Sequence, residues 1–474
     1  MNTVVKAKGG LIVGILAVLL LVGISAAPVQ AVVDGIEGTT FNLVAKQDTI
    51  SSPDGDSILM WGYADADGSN TMQYPGPTLI VQQGDTITVN LTNELPAVHG
   101  QNVSIVFPGQ VVTASGGVAG ALTNEVTPGG PAVTYTFQAT HPGTFMYKSG
   151  TRPDLQIEMG LVGAIVVRPE MVSVPDPRPY TTNIHYAYNH ADTAYNREYL
   201  YLVTEIDVKI HDMVESGNLA SVDTTTWYPV TWMVNGRAFP DLLQSPNVPW
   251  FPTQPYNCVP RIHPFETMLI RVVGAGRAQH PMHYHGQDFS VIGINGRMLS
   301  SDGGTAGPDL AWKASTFNFT PGQTADMLWT WHGSDLGWDI YGHAPGDPVL
   351  ADYEDADMNV LPLEDFPGPG DVDHNGNGIF EPRDHGLPFP VILAERDDLA
   401  FGQFWSGSPF LGGSGDLPPN HPGLNSGGAY LFPWHSHSEK ELTTNDLFPG
   451  GALTFLVLEH PMTPIDPLEP IVGF

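Results

Sequence analysis

The chain is 474 residues long and carries 50 acidic against 18 basic side chains, a net charge of −32. A charge of that size and sign disfavours nucleic acid and anionic membranes as partners, while it fits solubility, attraction of metal cations or a saline habitat. A single cysteine, Cys258, excludes an intrachain disulfide framework.

In chain order, residues 1–31 read as an export signal. Lys6 and Lys8 precede an apolar stretch from Leu11 to Ile24, and Val29-Gln30-Ala31 offers small residues for cleavage. The apolar stretch falls short of the roughly 20 residues of a membrane span. No stable membrane insertion is expected once the signal is removed; an uncleaved anchor is the other reading. A periplasmic, extracellular or cell-surface location follows.

A first block covers about 35–170. It holds alternating segments such as Thr86–Leu91 and Val133–Phe137, and closes on the apolar run Leu161–Val167. A proline-rich link leads to a second block, about 180–474, with Tyr199–Val203, Met268–Val273, Leu328–Trp331 and Leu453–Leu458. Within it lies a Pro-, Gly- and Asp-rich insertion at about 344–428. Long amphipathic helical patterns are nearly absent, and turn formers punctuate short alternating runs. The expected fold class is all-β, built of sandwiches or barrels.

The residues that carry chemistry cluster in the second block. His283-Tyr284-His285 and His435-Ser436-His437 are two His-x-His pairs. Side chains two apart in an extended strand share a face, so each pair is a two-toothed metal clamp. Four imidazoles without a thiolate suit Cu(II), Zn(II), Ni(II) or Fe(II), with copper first in affinity order and zinc the alternative. His280 precedes the first pair and is a further candidate. The bland reading is a set of packed histidines without metal. His185, His190, His332 and His343 are spare ligands that singly read as surface or hydrogen-bonded histidines. Glu439 and Glu441 read as a solvated acidic face, or as orienting or acid–base groups beside the metal. Cys258, in Pro255–Pro260, reads as a packed residue.

A separate pattern lies in the insertion. Asp373, Asn375, Asn377 and Asp384 fall at oxygen-ligand positions of a calcium loop, with Gly378 at the turn and the Ile379 carbonyl as a further ligand. Pro369 and Pro382 argue against flanking helices, and an Asn-Gly turn series is the plain alternative.

Pro75-Gly76-Pro77-Thr78-Leu79-Ile80-Val81 followed by Gly84-Asp85-Thr86 resembles the opening of a cupredoxin domain in multicopper oxidases. Gly143–Tyr147 and Met159–Ala164 resemble that domain's closing ligand loop and last strand. His280-Pro281-x-His283-x-His285-Gly286 is similar to the family's copper segment, and His435-x-His437 to its C-terminal partner. The resemblance implies tandem cupredoxin-like Greek-key β-sandwiches. The layout is like that of two-domain laccases and copper nitrite reductases, which implies a homo-oligomer, a trimer.

The departures from the family pattern are as specific as the matches. Where the first block should supply two more His pairs, it has Val106-Phe107-Pro108 and Lys148-Ser149-Gly150. A type 1 (blue) copper needs a Cys thiolate. In the second block Ser436 stands there instead, with Glu441 where a His is expected and Ala452 where a Met is common; in the first block Ser149 and Gln156 stand at the matching places. These substitutions imply one His-ligated metal, no blue copper and no laccase-type four-electron oxygen reduction. Three functions remain open: a residual oxidoreductase, a copper-holding protein, and a structural or assembly module with a relic or stabilising metal.

Overall fold

The computed structural model describes residues 33–176, 183–263, 266–286, 288–331, 429–459 and 465. Among them the chain is almost entirely β. Two short α-helices, Pro153–Gln156 and Val208–Glu215, and several single-turn 3-10 helices are the exceptions. The expectation of an all-β fold of tandem sandwiches holds.

The first sandwich is built from two mixed sheets. One runs Ser57–Asp65, Thr40–Ser51, Thr86–Asn93, Val133–Gln138, Thr113–Gly116. The other runs Ile36–Glu37, Leu79–Gln82, Val162–Arg168, Gly143–Lys148. Strand Thr86–Asn93 shows why the sheets stack. Ile87, Val89 and Leu91 alternate with polar residues and are fully buried, which is the pattern of a strand with one face on a core.

Val162–Arg168 is apolar on both faces, and the structure supplies a second core for the second face. Leu161, Ile165 and Val167 join the core of the first sandwich. Val162 and Ala164 pack instead with Leu202, Ile206, Met233 and Val273 of the second. The neighbouring strand Gly143–Lys148 divides the same way: Phe145 and Tyr147 point into the first core, Met146 toward the second sandwich. The period of two assigns alternate residues to different bodies.

The second sandwich pairs a large sheet, running Thr231–Val234, Arg197–Ile206, Thr267–Gly274, Thr324–Thr330, Phe289–Ile294, Arg297–Met298, with a smaller one. The smaller sheet runs Arg261–Ile262, Leu453–Glu459, Ala429–Ser436, His280–Tyr284, Thr316–Phe319. Between them lies an aromatic-rich core in which Trp329, Trp434, Tyr201 and Tyr284 are fully buried.

A buried charge cluster of the second sandwich also lines the seam and is hydrogen-bonded across it by Thr144 of the first. Arg271 reaches Glu198 at 2.7 Å and Asp326 at 3.3 Å, and Asp326 accepts from Thr144 Oγ1 and from Tyr188. All are buried, so each charge relies on its partner to offset the cost of leaving water. Helix Val208–Glu215, which follows the first long strand of the second sandwich, buries Ile210 and Val214 in the core of the first.

Candidate metal centre

Antiparallel pairing of His280–Tyr284 with Ala429–Ser436 places His283 directly opposite His435, and Tyr284 opposite Trp434. Beyond the last ladder pair, His437 N donates to Pro281 O at 2.8 Å. Alternation then decides the rest. Met282, Tyr284, Trp434 and Ser436 point into the core and are buried. The odd-numbered His283, His285, His435 and His437 share the other face, which stays open to solvent.

The four rings touch. Ring centroids lie 4.8 Å apart for His283 and His285, 4.7 Å for His283 and His437, 5.3 Å for His285 and His435, and 5.1 Å for His435 and His437. His435 Nδ1 lies 2.9 Å from the Ser436 carbonyl and His285 Nε2 lies 3.2 Å from His435 Nε2. A carbonyl accepts only, so His435 carries its proton on Nδ1. His435 Nε2 is then the acceptor, and His285 donates from Nε2. His283 Nδ1 is hydrogen-bonded to Thr316 Oγ1 at 2.8 Å.

Burial and mutual repulsion hold His283, His285 and His435 toward the neutral form. Burial, then the neighbouring His283, His435 and His437, push the His285 pKa down to about 4. Burial first, and then His437 and His435, lower that of His283; burial lowers that of His435. Neutral imidazole is the metal-binding form. In type and protonation state the donors therefore fit a late divalent metal. In convergence they do not yet: among the described residues no three His, Cys, Asp or Glu side chains come together as a preformed site. The His285–His435 hydrogen bond uses a lone pair that a metal would need. Breaking it costs on the order of 1 kcal/mol, small beside the ~10 kcal/mol or more of a structural metal site.

His280 is not brought to this cluster. Three residues before His283, it faces the other way and is fully buried between two carboxylates. Its Nε2 donates to Glu205 Oε2 at 2.8 Å and its Nδ1 to Glu441 Oε2 at 2.9 Å. Burial opposes a charge there, but the bonds and charges of Glu205 and Glu441 outweigh it and push the pKa up to about 9. With both nitrogens protonated and bonded, His280 is an ion-pair member and not a free ligand. Glu441 is likewise buried, whereas Glu439 is exposed; the solvated-face reading fits only Glu439.

Glu205 was not foreseen in the sequence. Its signal was a carboxylate inside the apolar run Tyr201–Ile206, since an acid at a core position needs a partner. Besides His280 it accepts from the backbone N–H groups of Arg277 and Ala278. A Cβ at Gly276 would collide with the Glu205 carboxylate, so that close approach requires glycine.

The first sandwich holds the corresponding positions differently. Val106 and Lys148 bridge each other across strands, and Phe107 is buried among Tyr135 and Phe137. Ser149 Oγ donates to Gln156 Oε1 at 2.6 Å, and Gln156 Nε2 donates to the Asn102 carbonyl at 2.8 Å. The network runs on through Asn102 and Thr151 to the Glu125 carboxylate.

His185 is bonded to Ser173 and His190 to the Asp192 N–H, both away from the cluster. Cys258 is buried, and burial pushes its thiol pKa up, as fits a packed residue. His332, His343 and the calcium-loop residues Asp373, Asn375, Asn377, Ile379 and Asp384 lie outside the described residues, as does the export signal. Beside the cluster runs a cleft of about 750 Å³ that shares His283 and His285 as its wall and also presents Asp192, Asp288 and Lys313. No helix among the described residues is long and apolar enough to cross a membrane.

Residues 66–171 match the family model described as multicopper oxidase. The chain is 34% identical over 114 residues to a multicopper oxidase of Talaromyces pinophilus, covering 23% of this chain and 18% of that protein. It is 35% identical over 115 residues to a copper-containing nitrite reductase of Alcaligenes xylosoxydans, covering 22% of this chain and 32% of that one. The matches thus span less than a third of either relative's length. A blue copper oxidase structure from Nitrosomonas europaea aligns with 88% of the chain and 85% of its own at 16% identity, with a TM-score of 0.48.

Proposed function

We propose the following for this chain, which belongs to the multicopper oxidase family: it is an exported protein that binds one metal ion, copper, through His283, His285, His435 and His437, and it has no blue copper site. The observation that carries this reading is the cross-strand pairing of His283 with His435, which gathers the two imidazole clamps on one open face. Copper is the metal the family implies, and zinc is the alternative for the same donors.

The absence of a blue site is supported by the residues at its expected place. Ser436 is a hydroxyl, His280 has both nitrogens on carboxylates, and Cys258 is buried in another segment. Bound copper would supply an open-coordination, one-electron centre. The protein's own contribution is to hold the imidazoles together on one face and to keep the ion-paired His280 beneath them. Without a thiolate to accept electrons from an outside donor, the role is copper holding or a residual single-metal oxidoreduction. Export is supported by Lys6, Lys8 and the apolar stretch after them. Homo-oligomeric assembly, a trimer by resemblance, belongs to the same reading and is tested by light scattering of the loaded chain.

One set of measurements decides. The purified chain is loaded with copper, its metal content is counted, and its EPR spectrum and its turnover of phenols and nitrite are recorded. A single copper with a type 2 spectrum is expected. Turnover would then mark an oxidoreductase, and tight binding without turnover a holding protein. An intensely blue protein, or one that retains no metal, overturns the proposal. A metal-free outcome would favour the structural-module reading, for which the lack of convergence among the four rings is the supporting observation.

A further inference from the structure

Strand Thr316–Phe319 lies at the edge of the smaller sheet of the second sandwich, next to His280–Tyr284. Phe317 and Phe319 turn into the aromatic core and are buried, while Thr316 and Asn318 are exposed on the other face. Thr316 stands directly opposite His283 in the ladder, and side chains so opposed share a face of the sheet. Thr316 therefore belongs to the open face of the four imidazoles, on the far side of His283 from His435. Its Oγ1 lies 2.8 Å from His283 Nδ1.

A neutral imidazole has one N–H and one lone pair, and the partner of one nitrogen settles the role of the other. The Thr316 hydroxyl can donate or accept, but the Ser315 carbonyl, one residue earlier, can only accept. That carbonyl is also a hydrogen-bond partner of the His283 ring. The ring proton is thus directed at this strand, and the nitrogen at this strand is Nδ1. Nε2 then keeps the lone pair. The ring across the ladder is set the same way, since His435 Nδ1 donates to the Ser436 carbonyl. The two holds differ in kind. The acceptor for His435 is backbone, which no substitution removes, whereas His283 is held in part by a side chain. A β-branched side chain is stiff at χ1, so the Thr316 hydroxyl is ordered at little cost.

We infer that Thr316 is a positioning residue of the metal centre: it holds His283 Nδ1 and so fixes Nε2 as the metal donor of that ring. The inference rests on the copper reading above and extends it to the residue that sets the donor atom. An outer hydrogen-bond partner fixes the orientation and tautomer of a ligating imidazole, and losing one costs roughly 10–100-fold in metal affinity.

The test is Thr316→Val in the full chain, which removes the hydroxyl and keeps the branched shape at an exposed strand position. Copper affinity, read by competition with a chelator, should fall about tenfold, and Thr316→Ser should restore it. The melting temperature of the metal-free chain should not move, which separates positioning from a structural role. Nitrogen NMR of the histidine rings in the metal-free chain, with His283 assigned by His283→Gln, reads the tautomer without copper. It should place the proton on Nδ1 in wild type and shift it toward Nε2 in Thr316→Val. Wild type that binds no copper removes the copper reading and this inference with it. Wild type and Thr316→Val that bind copper equally well overturn the inference alone, as does a wild-type His283 that carries its proton on Nε2.

Discussion

In the first sandwich Val106 pairs with Lys148 across strands; in the second His283 pairs with His435. The backbone arrangement is alike, and the side chains give it opposite chemistry: an apolar residue and a lone amine against facing imidazoles. The places below these pairs differ in the same way. Ser149 and Gln156 share an uncharged hydrogen bond, whereas His280 sits as a charged ring between Glu205 and Glu441. Strand pairing therefore sets the backbone alike in both halves, and the side chains decide what each half can bind.

The largest test of that contrast is metal content. His283→Ala combined with His435→Ala should abolish stoichiometric copper, while Val106→Ala combined with Lys148→Ala should leave it unchanged. Elemental analysis after desalting reads both. Equal loss in the two double variants would move the site to the seam between the sandwiches.

Stability should separate the two halves next. His280→Ala leaves two buried carboxylates without their cation and should cost about 3–5 kcal/mol. Gln156→Ala leaves the Asn102 carbonyl short of its partner and should cost about 1–3 kcal/mol. Urea unfolding of the metal-free chain measures both, and the reverse order would refute a charged His280.

A dependence on pH sharpens the same contrast further. The folded pKa of His280, about 9, lies above the ~6.5 of a free imidazole. A raised pKa contributes stability that is complete below the unfolded value and is lost as pH rises through the folded one. The difference amounts to roughly 3 kcal/mol at most. Wild type should therefore lose stability between about pH 6.5 and 9 relative to His280→Gln. Parallel curves for the two proteins would show that the ring carries no proton to lose.

Much of this was legible before any coordinates. Alternation in Thr86–Asn93 and the lack of helical periodicity led to an all-β fold, because a strand with one buried face must repeat every two residues. The His-x-His spacing predicted that each pair shares a face, for the same reason. His280 was less legible. As a candidate ligand it was judged by its neighbours in sequence, and the residue that engages it, Glu205, is 75 positions away.

The sequence alone determined the type of each strand and the composition of the donor set, because both follow from local periodicity and residue chemistry. Only the tertiary structure decided that the two clamps face each other and that His280 is held by Glu205 and Glu441 and turned away from them. Those outcomes depend on which strands pair and on how two sandwiches meet. Long-range pairing brings distant charges together or leaves them apart, and no local pattern in the chain encodes the distance between them.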